Sequence, residues 1–385
     1  MSSVTQSEDL MVPKKVVHFV SVDKQNYYLE NLFDYCDRSK LEFLIIAFTE
    51  ENTQFLTRMK ERGIKCYAMG SISHLRIPYT LLSTIKLIRE IKPDVIHTHL
   101  FNPTMIGVIV GKLLGIPVYV TRHHSDAVHK ISSIWKRRLY LTIEACINSA
   151  AKLIIAPARG VYNILIINEK VKPEKIEIIP YGQRPERFAN IKSETIERIR
   201  NEFQIGNKLM IICVSRLYKM KGHTYLLQAL AKINKDLPFK LILVGDGDFR
   251  PYIEKEAERL NLTDEISFAG WREDVLDIIA SADLIVHPSL EDALSSALIE
   301  SLMLGKPIVA TDISGAGDTL CDGTFGVLVK PADAEALKTG IETVINDLPA
   351  AIEKAKKGRE WILDYMDAER VAKEHERIYF LTDNL

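Results

Sequence analysis

The stretch HPSLEDALSSALIESLMLGKPIVAT, residues 287–311, carries the residues best placed for chemistry. A proline–serine turn leads to the adjacent acids Glu291 and Asp292, then Ser295 and Ser296, then an apolar helix expected from about Ser296 to Leu304. Gly305 stands where that helix should stop, and Pro307 opens the next strand. The free N–H groups and dipole at the helix start favour an anion, most naturally a phosphate. Glu300 lies four residues after Ser296 on the same face and leans towards the helix start. A carboxylate there suits the hydroxyls of a ribose attached to that phosphate. The alternative is a helix residue paired with a nearby lysine.

A second cluster lies in VSRLYKMKGH, 214–223, where Arg216 and Lys221 occupy a strand-to-helix loop closed by Gly222. A planar fork and a point charge together suit a diphosphate, although singly each could be solvated surface charge. Five histidines, His97, His99, His123, His124 and His129, gather near two strand ends in DVIHTHLFNP and VTRHHSDAVH. They admit a zinc site or, the expectation adopted, hydrogen-bonded core residues with one or two facing a cleft as donors to a substrate and no metal. The glycine pair of LVGDGDFRPYI is not a dinucleotide fingerprint, because Arg250 stands where GxGxxG needs its last glycine.

The elements that would position these residues alternate strand and helix. Strands are expected at 16–20, 43–48, 94–97, 117–121, 152–156 and 176–180, then at 209–215, 239–245, 266–268, 283–287, 307–311 and 326–329. The runs are continuously apolar rather than alternating, as in parallel strands buried on both faces. Segments such as 79–91 and 223–233 have crossover-helix spacing. The fold class is therefore α/β, with two doubly wound parallel-sheet domains facing across a cleft. The domains are placed at 1–185 and 186–364, with a linker near 183–192 and a charged C-terminal helix over 365–385 packing back on the first domain.

Composition agrees with a soluble two-domain chain of 385 residues: 47% hydrophobic, 26% charged, net charge −1. Residues 1–190 carry 26 basic against 18 acidic side chains and the remainder 24 against 33, so the first half is basic and the second acidic. Five scattered cysteines without a CxxC pair indicate neither a disulfide framework nor a zinc ribbon. The N-terminus has no signal-type apolar run, and the longest apolar stretch is broken by Lys112 and Pro117. A cytoplasmic protein is expected, with no nucleic-acid partner. Lys136, Arg137 and Arg138 beside Trp135 raise peripheral contact with an anionic membrane as an alternative to plain surface charge.

Taken in order and spacing, DVIHTH, TRHHSD, IEIIPYGQRPERF, VSRLYKMKGH, LVGDGD, FAGWREDV, ADLIVHPS and ALIESLMLGKPIVAT resemble the family 4 glycosyltransferases, retaining enzymes of the GT-B fold that use nucleotide sugars. The family's acidic signature is two glutamates separated by seven residues. Counting back from Glu300 reaches Asp292, not Glu291. The resemblance implies that Asp292 addresses hydroxyls of the donor sugar and Glu300 binds the ribose. It implies that Arg216 and Lys221 hold the diphosphate with backbone N–H groups near Ser295 and Ser296, and that Gly245 borders the donor. The nucleobase would lie against the backbone around Trp271 and Arg272, and His123 would contact the transferred sugar. This chain departs from the pattern twice: aspartate replaces glutamate at 292, and the loop SVDKQN after the first strand lacks glycines, so no site residue is assigned there.

The resulting expectation is a retaining hexosyltransferase that takes a sugar from a UDP-linked hexose, such as UDP-glucose or UDP-GlcNAc. The acceptor would be a saccharide or lipid-linked glycan, in polysaccharide or glycoconjugate synthesis, with no cofactor and no metal. The alternatives are a catalytically silent glycosyltransferase-like subunit, or a sugar-nucleotide epimerase or phosphorylase of the same fold.

Overall fold

Apolar, β-branched runs too short to form long helices become the buried strands of two separate sheets. The computed structural model describes residues 12–24, 26–72, 76–123, 128–129, 131–233 and 237–381. The first sheet contains β1 (Lys14–Val20), β2 (Leu41–Ala47), β3 (Lys65–Ala68), β4 (Val95–His99), β5 (Val118–Thr121), β6 (Leu153–Ala156) and β7 (Ile176–Ile178), in the order β3-β2-β1-β4-β5-β6-β7. The second contains β8 (Leu209–Val214), β9 (Phe239–Val244), β10 (Ile266–Gly270), β11 (Leu284–His287), β12 (Ile308–Thr311) and β13 (Val327–Val329), in the order β10-β9-β8-β11-β12-β13. Neighbouring strands pair in parallel in both, as in His18↔His97 and Leu284↔Ile211.

Both sheets reverse direction at their first strand, between β1 and β4 and between β8 and β11. The crevices at those switch points are where such folds bind ligands. The loops leaving β1, β8 and β11 carry Lys24, Lys221 and Asp292, and His99 is the last residue of β4.

The chain crosses between domains twice, and the crossings are tied together. Gln183 N–H donates to the Met366 carbonyl at 2.7 Å, and Ala368 N–H donates to the Gln183 carbonyl at 2.9 Å. After the second crossing, the helix Ala368–Phe380 returns to the first sheet. It buries Val371, Ala372, Ile378 and Tyr379 in one core with Leu29, Phe33, Phe43 and Tyr119. Further contacts bind the domains face to face. Arg159 Nε donates to Asp318 Oδ1 at 2.8 Å and Arg159 NH2 to Asp322 Oδ2 at 3.1 Å. A β-carbon at Gly160 would lie 2.2 Å from Ser314 Cβ.

Candidate active site

Three loops of the second domain interlock because glycines let their backbones touch. Gly222 has φ +70°, and a β-carbon there would lie 1.9 Å from the Pro288 carbonyl oxygen. Gly245, at φ +131°, would bring a β-carbon to 2.1 Å from the Ser215 carbonyl oxygen. The loop after β8, the loop after β9 and the loop after β11 are thus locked side by side. Ser295 caps the helix Ser296–Met303 by accepting from Leu298 N–H at 3.4 Å, and Gly305 ends that segment at φ +66°.

Between these loops, Lys221 Nζ donates to Asp292 Oδ2 at 2.7 Å, and His287 Nε2 lies 3.4 Å from the same oxygen. Burial raises the Asp292 carboxyl, but His287 and Lys221 outweigh it and hold the group below its ordinary range. Of the two adjacent acids, Asp292 is the one whose carboxylate meets Lys221. Arg216 is elsewhere: exposed, with its guanidinium 5.1 Å from the Tyr218 ring. Glu300 is partly buried on the helix, and desolvation lifts its carboxyl above the usual value against the pull of Arg187. Arg187, in the 3₁₀ turn Pro185–Phe188 of the linker, lies 3.6 Å from Glu300 Oε1 and 3.7 Å from the Tyr27 ring of the first domain. Arg272 spends its guanidinium inside the domain, on Asp274 at 2.7 and 2.8 Å and on Glu202 at 2.5 Å. That leaves backbone and the exposed ring of Trp271 to meet a ligand. Across the cleft, Lys24 Nζ stands 4.7 Å from the centre of the Trp271 ring.

His123 faces this assembly from the first domain. Its Nδ1 lies 2.7 Å from the Tyr181 hydroxyl and its Nε2 3.3 Å from His99 Nδ1. Tyr181 bridges the two sides: burial, Tyr28 and then Asp292 all push its phenol upward. His129 is not part of the histidine group; its Nε2 is 3.5 Å from Glu169. His124 lies outside the described residues, as does Gln25 of the SVDKQN loop. The ring that joins His97 and His99 is His18, and the ligand atoms of these three lie within 4.8 Å of one another. All six of their ring nitrogens already have hydrogen-bond partners.

Sequence reasoning missed Lys24, Tyr181, Arg187 and His287. The first three act across the domain boundary, and no local pattern announces such contacts. His287 had a signal, since it ends the strand that feeds Asp292.

Two family models match in succession. Glycosyltransferase Family 4 covers residues 25–187, and Glycosyl transferases group 1 covers residues 195–361. The chain belongs to the group 1, family 4 glycosyltransferases. The enzyme transfers sugar from nucleotide sugars and has the GT-B fold. Its similarity to Anabaena HepE, solved in complex with UDP-glucose, has a TM-score of 0.81 at 21% identity, covering 96% of this chain and 100% of that one. A UDP-Gal:alpha-D-GlcNAc-diphosphoundecaprenol alpha-1,3-galactosyltransferase of Escherichia coli is 26% identical over 287 residues, 72% of this glycosyltransferase and 73% of that protein. The 2-deoxystreptamine glucosyltransferase of Streptomyces kanamyceticus is 25% identical over 296 residues, 74% and 76% of the two chains.

Proposed function

We propose that the protein is a retaining hexosyltransferase that uses a UDP-linked hexose and glycosylates a hydroxyl of a saccharide or lipid-linked glycan. The observation that carries this reading is the Lys221–Asp292 pair beside the start of the helix Ser296–Met303, facing Tyr181 and His123 across the cleft. In the bound state Lys221, the helix start and Arg216, swung from Tyr218, would offset the charge developing on the departing diphosphate, so no metal is needed. Asp292 would then accept from hydroxyls of the sugar, and Glu300 from those of the ribose in place of Arg187. Trp271 and the backbone beside Arg272 would border the base, with Gly245 behind it and Ser295 and Ser296 at the phosphate. Retention follows the family's front-face course, in which the departing phosphate oxygen takes the acceptor's proton. Uridine is favoured because HepE was solved with UDP-glucose and the E. coli relative is named for UDP-Gal.

Calorimetric titration with UDP and with GDP, without metal, tests the donor site. Micromolar binding of UDP alone is expected, and the absence of binding by either would remove the phosphate site and favour a silent subunit. Donor-only incubation separates a transferase from an epimerase.

A lipid-linked acceptor is the version favoured by the surface of the first domain. The helix Ile134–Ala150 exposes Ile134, Trp135 (79% exposed) and Leu139 beside Lys136, Arg137 and Arg138, and the neighbouring helix Phe101–Leu114 adds Leu113 and Lys112. Apolar anchors ringed by cations match an anionic lipid surface. No helix among the described residues is long and apolar enough to cross a membrane. Sedimentation with anionic vesicles is expected, and binding should weaken at least tenfold when Arg137 and Arg138 become glutamate, at about 1 kcal/mol per charge removed. Equal recovery with neutral and anionic vesicles would discard the membrane version.

A further inference from the structure

The contact between the domains reaches the loop of Asp292 through Ser314. The helix Arg159–Ile167 of the first domain starts after Ala158, whose side chain caps nothing, so its first N–H groups need an acceptor from elsewhere. The second domain supplies it. Asp318 Oδ2 accepts from Gly160 N–H at 3.0 Å, while Asp318 Oδ1 accepts from Arg159 Nε at 2.8 Å. A carboxylate also suits the positive end of that helix. Val161 and Leu165 of the capped helix share one buried cluster with Ala316 and Leu320 of the capping segment. A cap drawn from the other domain forms only while the two domains are apposed.

Asp318 lies on the helix Ser314–Thr319, and the first residue of that helix makes two contacts. Towards the first domain, Gly160 has no room for a side chain: a β-carbon there would lie 2.2 Å from Ser314 Cβ and 2.9 Å from its Cα. Towards the loop after β11, Ser314 Oγ donates to the Asp292 carbonyl at 3.2 Å. The next residue is as tight, since a β-carbon at Gly315 would lie 2.5 Å from the Ala293 carbonyl oxygen and 3.0 Å from Leu294 Cα. The backbone of 292–294 thus rests on a helix that also rests on the first domain. In the free protein Lys221 restrains the Asp292 carboxylate as well. A diphosphate that draws Lys221 away leaves the backbone contact with a larger share in aiming that side chain.

We propose that Ser314 is a positioning residue that makes the aim of Asp292 at the donor sugar depend on the apposition of the two domains. It rests on the reading of Asp292 as the carboxylate that addresses hydroxyls of the sugar. The nucleotide half of the donor, held by Lys221, Glu300 and Trp271 within the second domain, does not depend on this contact. The sugar half does. With the domains apart, Asp318 leaves the helix Arg159–Ile167, Gly160 leaves Ser314, and the loop after β11 relaxes. Sugar recognition is thereby tied to the closed cleft, from which water is excluded.

The test is calorimetric titration of the whole protein with UDP, UDP-glucose and UDP-GlcNAc, which needs no acceptor. Ser314→Ala keeps the β-carbon on Gly160 and removes only the hydroxyl. It should weaken the sugar nucleotide that the unaltered protein prefers by about threefold to tenfold, the factor one hydrogen bond carries, and leave UDP within about twofold. Asp318→Ala cuts the same link at the domain boundary and should give the same split. Both losses should disappear in an Asp292→Ala background, because residues that act through one side chain are not additive.

Equal losses for UDP and for the sugar nucleotide would overturn the proposal, as would undiminished losses in the Asp292→Ala background. Full sugar-nucleotide affinity in Asp318→Ala would overturn it too, since the first domain would then have no hold on the loop. Sugar-nucleotide binding unaffected by Asp292→Ala itself would refute the assignment of Asp292, and the role of Ser314 with it. Absence of binding by all three nucleotides to the unaltered protein would instead remove the donor site as a whole.

Discussion

Lys221→Met is expected to slow sugar transfer by roughly 10²- to 10³-fold, the loss seen when one preorganised charge-stabilising donor is removed. The methionine keeps the stem of the side chain, and Lys221 ends the short 3₁₀ turn Lys219–Lys221, so folding should survive. In the free protein the lysine is bonded to Asp292, and a donor diphosphate has to share or take over that partner. The variant should therefore bind UDP more weakly as well as react more slowly. Its Asp292 carboxyl, now held low by both His287 and Lys221, should rise once only His287 remains. Single-turnover transfer and calorimetric UDP titration measure the two effects. A loss below fivefold in both would take Lys221 out of the phosphate site.

Arg122→Met should cost about 3–5 kcal/mol of stability, because it strands two carboxylates that were buried around one cation. Arg122 is 3% exposed and pairs with both Glu144 and Glu169 at the end of β5, immediately before His123. Burial works against the ionised form of Glu169, yet Arg122 more than compensates and its carboxyl lies below the usual 4.5. A depressed carboxylate stabilises the fold above its unfolded value and loses that contribution as pH falls through its folded one. Without the arginine, burial, the largest influence on Glu169, is opposed only by Asn148 and His129, so the group should rise and its charge oppose folding at pH 7. The deficit of the variant should then be largest at neutral pH and shrink as the pH drops towards 4.5. Urea denaturation at pH 7 and pH 5 reads this directly. An equal deficit at both would show that lost packing, not stranded charge, is the cause.

Much of the architecture was legible because a parallel strand buried on both faces leaves a continuous apolar run. Twelve of the strands lie where such runs occur. The exception is β3, Lys65–Ala68, an edge strand whose KCYA is only partly buried and shows no apolar run. The helix over 296–303 could be read from its serine cap and terminal glycine, and the spacing from Glu300 singled out Asp292 before its contact with Lys221 was visible. What remained hidden was contact between distant segments. Lys24 over Trp271 and Arg187 beside Glu300 join residues more than 100 positions apart in the chain. Among the histidines, spacing brought His97, His99 and His123 to neighbouring strand ends. It gave no hint that a lone histidine in VVHFV joins them, or that His129 turns away to Glu169.

The return of the helix Ala368–Phe380 to the first sheet also decides the order in which the polypeptide can mature. Domains usually fold from the N-terminus as synthesis proceeds. Here the first domain lacks part of its core until residues 368–380 have been made, because Val371, Ile378 and Tyr379 fill it. The second domain has all its strands by Val329 and lies inside the span of the first, as an insertion. The N-terminal half therefore waits for the last helix, its core incomplete and in need of protection, while the half made later can close before it.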